Sequence, residues 1–110
     1  MAEFDDLLKK ILASAEMVYA SGDYTSATVL YFKLLFGISD LAISRLGLLE
    51  PKDHTQRFQI LKYRIPELYV RLDRLFPIYT NTYRKSTDRK TCDEVRNEVR
   101  ALAKEYGIID

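Results

Sequence analysis

"YTSATVLYFKLLFGISDLAISR", residues 24–45, decides the fold. Its apolar residues Val29, Leu30, Tyr31, Phe32, Leu34, Leu35, Phe36, Ile38, Leu41 and Ile43 cover nearly the whole circumference of a helix instead of one stripe. Such a helix must be enclosed, either at the centre of its own fold or against another subunit. It spans roughly 30 Å at 1.5 Å per residue, which is also the thickness of a bilayer core. Lys33, Asp40 and Arg45 interrupt it, and charge within a bilayer is costly, so the expectation is a core helix that also contacts a second copy, with no membrane span.

The flanking sequence supplies the partners such a helix needs. Upstream, Phe4, Leu7, Leu8, Ile11, Leu12, Ala15 and Tyr19 recur at three-and-four spacing, one apolar stripe on a first helix. Gly22 suits the left-handed turn that ends it, and Asp23 can cap the long helix. Downstream, Gly47 and Pro51 stop the long helix, and Asp53 or Thr55 can cap a short one carrying Phe58, Ile60 and Leu61. Pro66 suits the first turn of a fourth helix with Leu68, Leu72, Leu75, Phe76, Tyr79 and Tyr83 along one face, bent by Pro77. Thr91 with Glu94 resembles a capping box for a last helix, whose Val95, Val99, Leu102, Ala103 and Tyr106 face inward before Gly107 ends it. No stretch alternates with period two. The expected fold is all-α: an up-and-down antiparallel four-helix bundle with an additional short helix.

A chain of 110 residues fits one domain, residues 1–110, large enough to bury a core without metal or disulfides. With 47% apolar and 30% charged residues it lacks the composition of a disordered chain, and its net charge of +1 singles out no partner. One cysteine, Cys92, cannot form an internal disulfide, and no secretory leader is read, so a cytoplasmic location is expected.

Few residues carry chemistry. The only histidine, His54, stands at a helix start, where a structural or capping role is the simpler reading, because a catalytic imidazole needs a partner with a defined task. No other histidine or cysteine stands at metal-ligand spacing, and no glycine-rich phosphate loop is present, so neither metal nor cofactor is expected. Carboxylate pairs at helix starts are explained by the helix dipole, and the same field would lower the Cys92 thiol pKa. In "YRKSTDRK", Arg84, Lys85, Arg89 and Lys90 gather around the last turn beside Tyr79 and Tyr83. Such a patch would attract phosphates and stack unpaired bases, although a solvated turn reads more simply and Asp88 dilutes its charge. Arg64, Arg71 and Arg74 recur as a second basic face, also read as solvated.

"TSATVLYFKLLFGISDLAISRLGLLEPKDHTQRFQIL", followed by a leucine-rich helix, "YTNTYR" and a last amphipathic helix, resembles the HEPN superfamily over about residues 4 to 106. The local element that carries the resemblance is the Pro-x-x-His of Pro51 to His54 after the small and aromatic pattern of Ala27, Tyr31 and Phe32. The resemblance implies a small helical bundle, often dimeric. Many members are ribonucleases with an Arg-x4-6-His motif, while others lack it and act in binding or beside small nucleotidyltransferases. Five to seven positions before His54 stand Leu49, Leu48 and Gly47, and Arg45 is nine back. "YTNTYRKSTDRK" has arginines but no histidine.

The resulting expectation is a noncatalytic HEPN-type interaction module, a homodimer through Phe32, Phe36 and Leu41, and a partner of a nucleotidyltransferase in a toxin-antitoxin-like pair. The alternative is a metal-independent ribonuclease or an RNA-binding protein with an atypical site, using Arg84, Lys85, Arg89, Lys90, Tyr79 and Tyr83.

Overall fold

The computed structural model describes residues 2–110, in five helices: α1 (Ala2–Ala20), α2 (Tyr24–Arg45), α3 (His54–Arg64), α4 (Pro66–Asn81) and α5 (Arg89–Glu105). No strand occurs among the described residues. The breaks between helices follow local chemistry. Gly22 and Gly47 take φ of 89° and 79° after α1 and α2, a region open to glycine at little cost. Asp23 and Asp53 accept the backbone N–H of Ser26 and Gln56, and the Gln56 side chain accepts the Lys52 N–H in return, a reciprocal cap at the start of α3. Ile65 alone separates α3 from α4, because the residue before a proline is pushed out of helical geometry while Pro66 is preset for a first turn.

The last helix begins earlier than the sequence suggests. Its cap is Asp88, which accepts the Thr91 N–H at 2.8 Å, so Thr91 lies inside the first turn and Arg89 and Lys90 belong to the helix, not to the loop.

α2 is the axis of the fold. From Leu34 to Ile43 every residue except Gly37 and Asp40 is buried. Of its most apolar window, long enough to cross a membrane, 67% is buried inside the fold. α1 and α5 pack along α2, and α3 and α4 form a hairpin that also leans on it. The buried hydroxyls of Thr28 and Ser39 donate to the carbonyls of Tyr24 and Leu35 one turn back, so neither is left unsatisfied.

Phe32, Phe36 and Leu41, expected at a contact between copies, are 1%, 8% and 2% exposed within a single chain. The other helices already cover them within one chain, so they are core residues.

Side-chain ion pairs tie the outer helices to one another in order around the axis. Glu16 of α1 takes both Arg96 nitrogens at 2.9 and 2.8 Å, Arg100 at 3.2 Å and the Tyr31 hydroxyl at 2.6 Å. Its carboxyl is held below the ordinary range, chiefly by Arg96, and burial together with Glu16 pushes the Tyr31 phenol up. Arg71 of α4 bonds Glu98 and Glu105 of α5, and Arg74 reaches Glu94 at 3.1 Å. Two members of the expected basic face are thus paired across helices, Arg71 partly buried and Arg74 at the solvated surface. Arg57 of α3 grips Asp40 of α2 through two hydrogen bonds of 2.7 and 2.9 Å. The order around α2 is α1, α5, α4, α3. The remaining seam, between α3 and α1, stays open, floored by Lys33, Gly37 and Asp40 and walled by Phe4, Leu7, Ile11 and Arg57.

Gly37 tests this packing. A Cβ there would lie 2.5 Å from Leu8 Cδ2, and Leu8 is itself buried. Replacing a mid-helix glycine by alanine gains up to about 1 kcal/mol of helix propensity, whereas overpacking costs about 1–3 kcal/mol. Gly37→Ala should therefore lower the urea midpoint, and a raised midpoint would show that α1 yields at no cost.

Candidate nucleic-acid interface

The turn between α4 and α5 holds the residues singled out for nucleic acid. Tyr79 is half-buried in the last turn of α4, and its hydroxyl stands 2.9 Å from that of Tyr83. Tyr83 lies beyond the helix and is 72% exposed, so only Tyr79 belongs to the apolar stripe. Arg84 and Lys85 follow, with their N–H groups bonded to the Asn81 carbonyl at 3.1 and 2.9 Å, which gives the turn a defined shape. The Thr87 N–H donates to Thr25 Oγ1 at 2.7 Å and pins the turn to the start of α2. Arg89 and Lys90 project from the first turn of α5. Arg84, Lys85 and Lys90 make no ion pair among the described residues, and Arg89 is only loosely placed, 3.9 Å from Asp93. A small cavity of about 180 Å³ lies beside them, lined by Asn81, Lys85, Ser86, Thr87 and Asp88 among others.

His54 is the first residue of α3, but the cap is Asp53, and the imidazole has a different task. Its ring lies 4.4 Å from Phe36 and 5.7 Å from both Phe76 and Tyr79, measured between centroids. Arg57 Nη1 stands 2.7 Å from His54 Nδ1. Because a guanidinium only donates, Nδ1 is the acceptor and Nε2 carries the proton of the neutral ring. The side chain is thus one unit of an Asp40–Arg57–His54 chain inside an aromatic cluster. Nothing local announced this chain, since Asp40 lies 17 residues from Arg57; the three-residue step from His54 to Arg57 on one helix face was the one available signal.

A second cavity, about 460 Å³, opens between α3 and α4 and is lined by His54, Thr55, Phe58, Gln59, Lys62, Tyr69 and Phe76. Sequence reasoning did not find it, because its two walls come from residues that are separated in the chain and joined only by the turn at Ile65.

Other chemistry is scarce. Cys92 is buried, and burial pushes its thiol up, opposite to the expected effect of the nearby helix start. Among the described residues no group of three or more histidines, cysteines or carboxylates is placed to hold a metal ion.

Burial first and Arg57 second hold the His54 imidazole below its ordinary pKa of about 6.5, against the opposing pull of Asp40 and Asp53. The unfolded chain therefore binds this proton more readily than the folded one. His54's contribution to stability is full above about pH 6.5, declines as the pH falls through that value toward the folded pKa, and declines no further below it. The urea midpoint should drop between about pH 7.5 and 5, and His54→Gln should flatten that drop. An equal slope in the variant would assign the effect to another group.

Comparison with protein-family models, curated proteins and solved structures finds no match, so the functional reading rests on this geometry.

Proposed function

We propose that this chain is a noncatalytic interaction module, a HEPN-like up-and-down bundle in which α1, α2, α4 and α5 are the four main helices, and that it contacts RNA through the α4–α5 turn. The observation that carries the reading is how the cations are distributed. Arg57, Arg71, Arg74, Arg96 and Arg100 are each spent on carboxylates within the fold. Arg84, Lys85 and Lys90 make no ion pair among the described residues, and, unlike the equally unpaired Lys33, Lys52 and Lys104, they gather at one turn beside the exposed Tyr83 ring. A cation without a carboxylate in reach keeps its attraction for a phosphate, and its binding releases counterions. An exposed tyrosine face adds a stacking platform for an unpaired base.

Cleavage without metal would need a base for the 2′-hydroxyl, an acid for the leaving oxygen and positive charge beside the phosphate. The turn offers only the last. The one imidazole has Nδ1 occupied by Arg57 and belongs to the α3 cluster, and the thiol is buried. This supports a binding role over a catalytic one.

A combined Arg84→Gln, Lys85→Gln, Arg89→Gln and Lys90→Gln variant should keep its helicity but bind RNA more weakly. By fluorescence anisotropy over a salt series, the slope of log K against log salt should lose about 0.7 for each phosphate contact removed on a single strand. Unchanged affinity and slope would sink the reading.

A second reading, association with a second copy of the chain or with a small nucleotidyltransferase, is favoured by the open seam along α2. Leu7 is 50% exposed at its wall, beside a cavity of about 230 Å³. Light scattering over a dilution series should then show a species of twice 12.8 kDa that Leu7→Arg returns to 12.8 kDa. A 12.8 kDa species throughout would remove pairing of copies.

A further inference from the structure

The α3–α4 cavity and the basic turn lie along one row of aromatic rings. Phe58 meets Phe76 at 4.9 Å between centroids, Phe76 meets Tyr79 at 5.7 Å, and Tyr79 meets Tyr83 at 5.6 Å. Tyr69 joins at the cavity end, 6.1 Å from Phe58. Phe58, Tyr69, Phe76 and Tyr79 are half-buried, and neighbouring rings fix their orientation. Aromatic residues are usually spent in a core; here a run of them continues from the core to the surface.

Polar groups at the cavity share one character. Lys62 is a cation with no ion pair among the described residues, and Thr55 and Gln59 are exposed and able to donate. His54 has Nδ1 taken by Arg57, which leaves Nε2–H as its hydrogen-bonding atom without a partner. No carboxylate lines the cavity. Asp73, on the α4 turn between Tyr69 and Phe76, is exposed and outside the lining. The row therefore has a lone cation and several donors at one end, and Arg84, Lys85 and Lys90 at the other.

We infer that this row is a track for single-stranded nucleic acid, with one unpaired base seated in the α3–α4 cavity and the strand running past Tyr79 and Tyr83 to the basic turn. The inference rests on the RNA-contact reading of that turn and narrows it to unpaired strands. The charge complementarity is direct: cations in no ion pair among the described residues stand at both ends to face a polyanion, and the aromatic wall of the cavity and the exposed Tyr83 ring suit bases, which all present a π-face. A duplex keeps its bases stacked inside, so it can use the cations but not the rings.

The test compares a labelled single strand of about 12 nucleotides, within the usual range of single-strand site sizes, with the same sequence as a duplex. Two variants separate the parts. Thr55→Trp with Lys62→Gln fills the cavity from an exposed helix position and removes its cation; the fourfold glutamine variant strips the turn. Circular dichroism checks that both fold. Wild type should prefer the single strand by about tenfold or more, the scale of one stacked base. The cavity variant should lose about that factor on the single strand and no more than the small contribution of one cation on the duplex, while the turn variant should weaken on both. If the cavity variant keeps full single-strand affinity while the turn variant weakens, the track is wrong and the RNA-contact reading stands. If wild type binds neither strand form, both fail.

Discussion

The structure depends on the enclosure of α2. A helix apolar on nearly every side leaves only a narrow strip to solvent, here Val29, Lys33, Gly37 and Asp40, so the rest of the chain is organised as its cover. Each remaining helix needs only one apolar stripe, and that is what α1, α4 and α5 carry: Leu8, Leu12 and Ala15 on the first, Leu68, Leu72 and Leu75 on the second, Val95, Val99 and Leu102 on the third. Because the outer helices meet α2 by apolar packing, their order around it is set by what joins them to each other. Two of those joints are charged, Glu16 with Arg96 and Arg100 between α1 and α5, and Glu98 and Glu105 with Arg71 between α5 and α4, while α3 is tied to the axis itself by Arg57 on Asp40 of α2. Partly buried carboxylate–guanidinium pairs of this kind contribute less to stability than to specificity, since removing one partner leaves the other poorly solvated.

The same joints occupy Arg57, Arg71, Arg74, Arg96 and Arg100, while the cations in no ion pair among the described residues are spread over the surface and include a group at the α4–α5 turn. A net charge of +1 conceals this division, because the balance of acids and bases over the whole chain carries no information on which cations are neutralised locally. Around the ring of helices, arginines are matched to acids at close range. At the α4–α5 turn, Asp88 caps α5 through the Thr91 N–H, and that bond holds its carboxyl below the ordinary range, so it stays ionised beside its basic neighbours.

Much of the helical framework was legible in the sequence because it is decided locally. Gly22, Asp23, Gly47, Pro66 and Gly107 act through their own backbone or their nearest neighbours, and each ends or starts a helix where its chemistry requires. The start of α5 was misplaced because Asp88 and Thr91 are both good caps three residues apart, and the two competing registers differ by one helical turn. The ion pairs were illegible for another reason: Glu16 and Arg96 are 80 residues apart, and no local pattern states which acid an arginine will meet. For Phe32, Phe36 and Leu41 the sequence left open whether core or a partner covers them, and their burial within one chain places them in the core. The α3–α4 hairpin, with Phe76 and Tyr79 packed on Phe36, supplies part of that cover.

His54 shows how a residue's chemistry is set by where its hydrogen bonds go. To act as a base, an imidazole must accept a proton and hold the resulting charge. Here the nitrogen that accepts is in contact with Arg57, whose own position is fixed by two bonds to Asp40, and the ring is flanked by Phe36, Phe76 and Tyr79. Protonating Nδ1 would bring two donors face to face and place a second cation against apolar rings. The same contacts that bar it from base chemistry make it a dependable donor, since a neutral ring with Nδ1 occupied must carry its proton on Nε2. An arginine held by one carboxylate thereby sets the tautomer of a histidine at the wall of the α3–α4 cavity, and the joint that ties α3 to α2 also fixes the polarity of that wall.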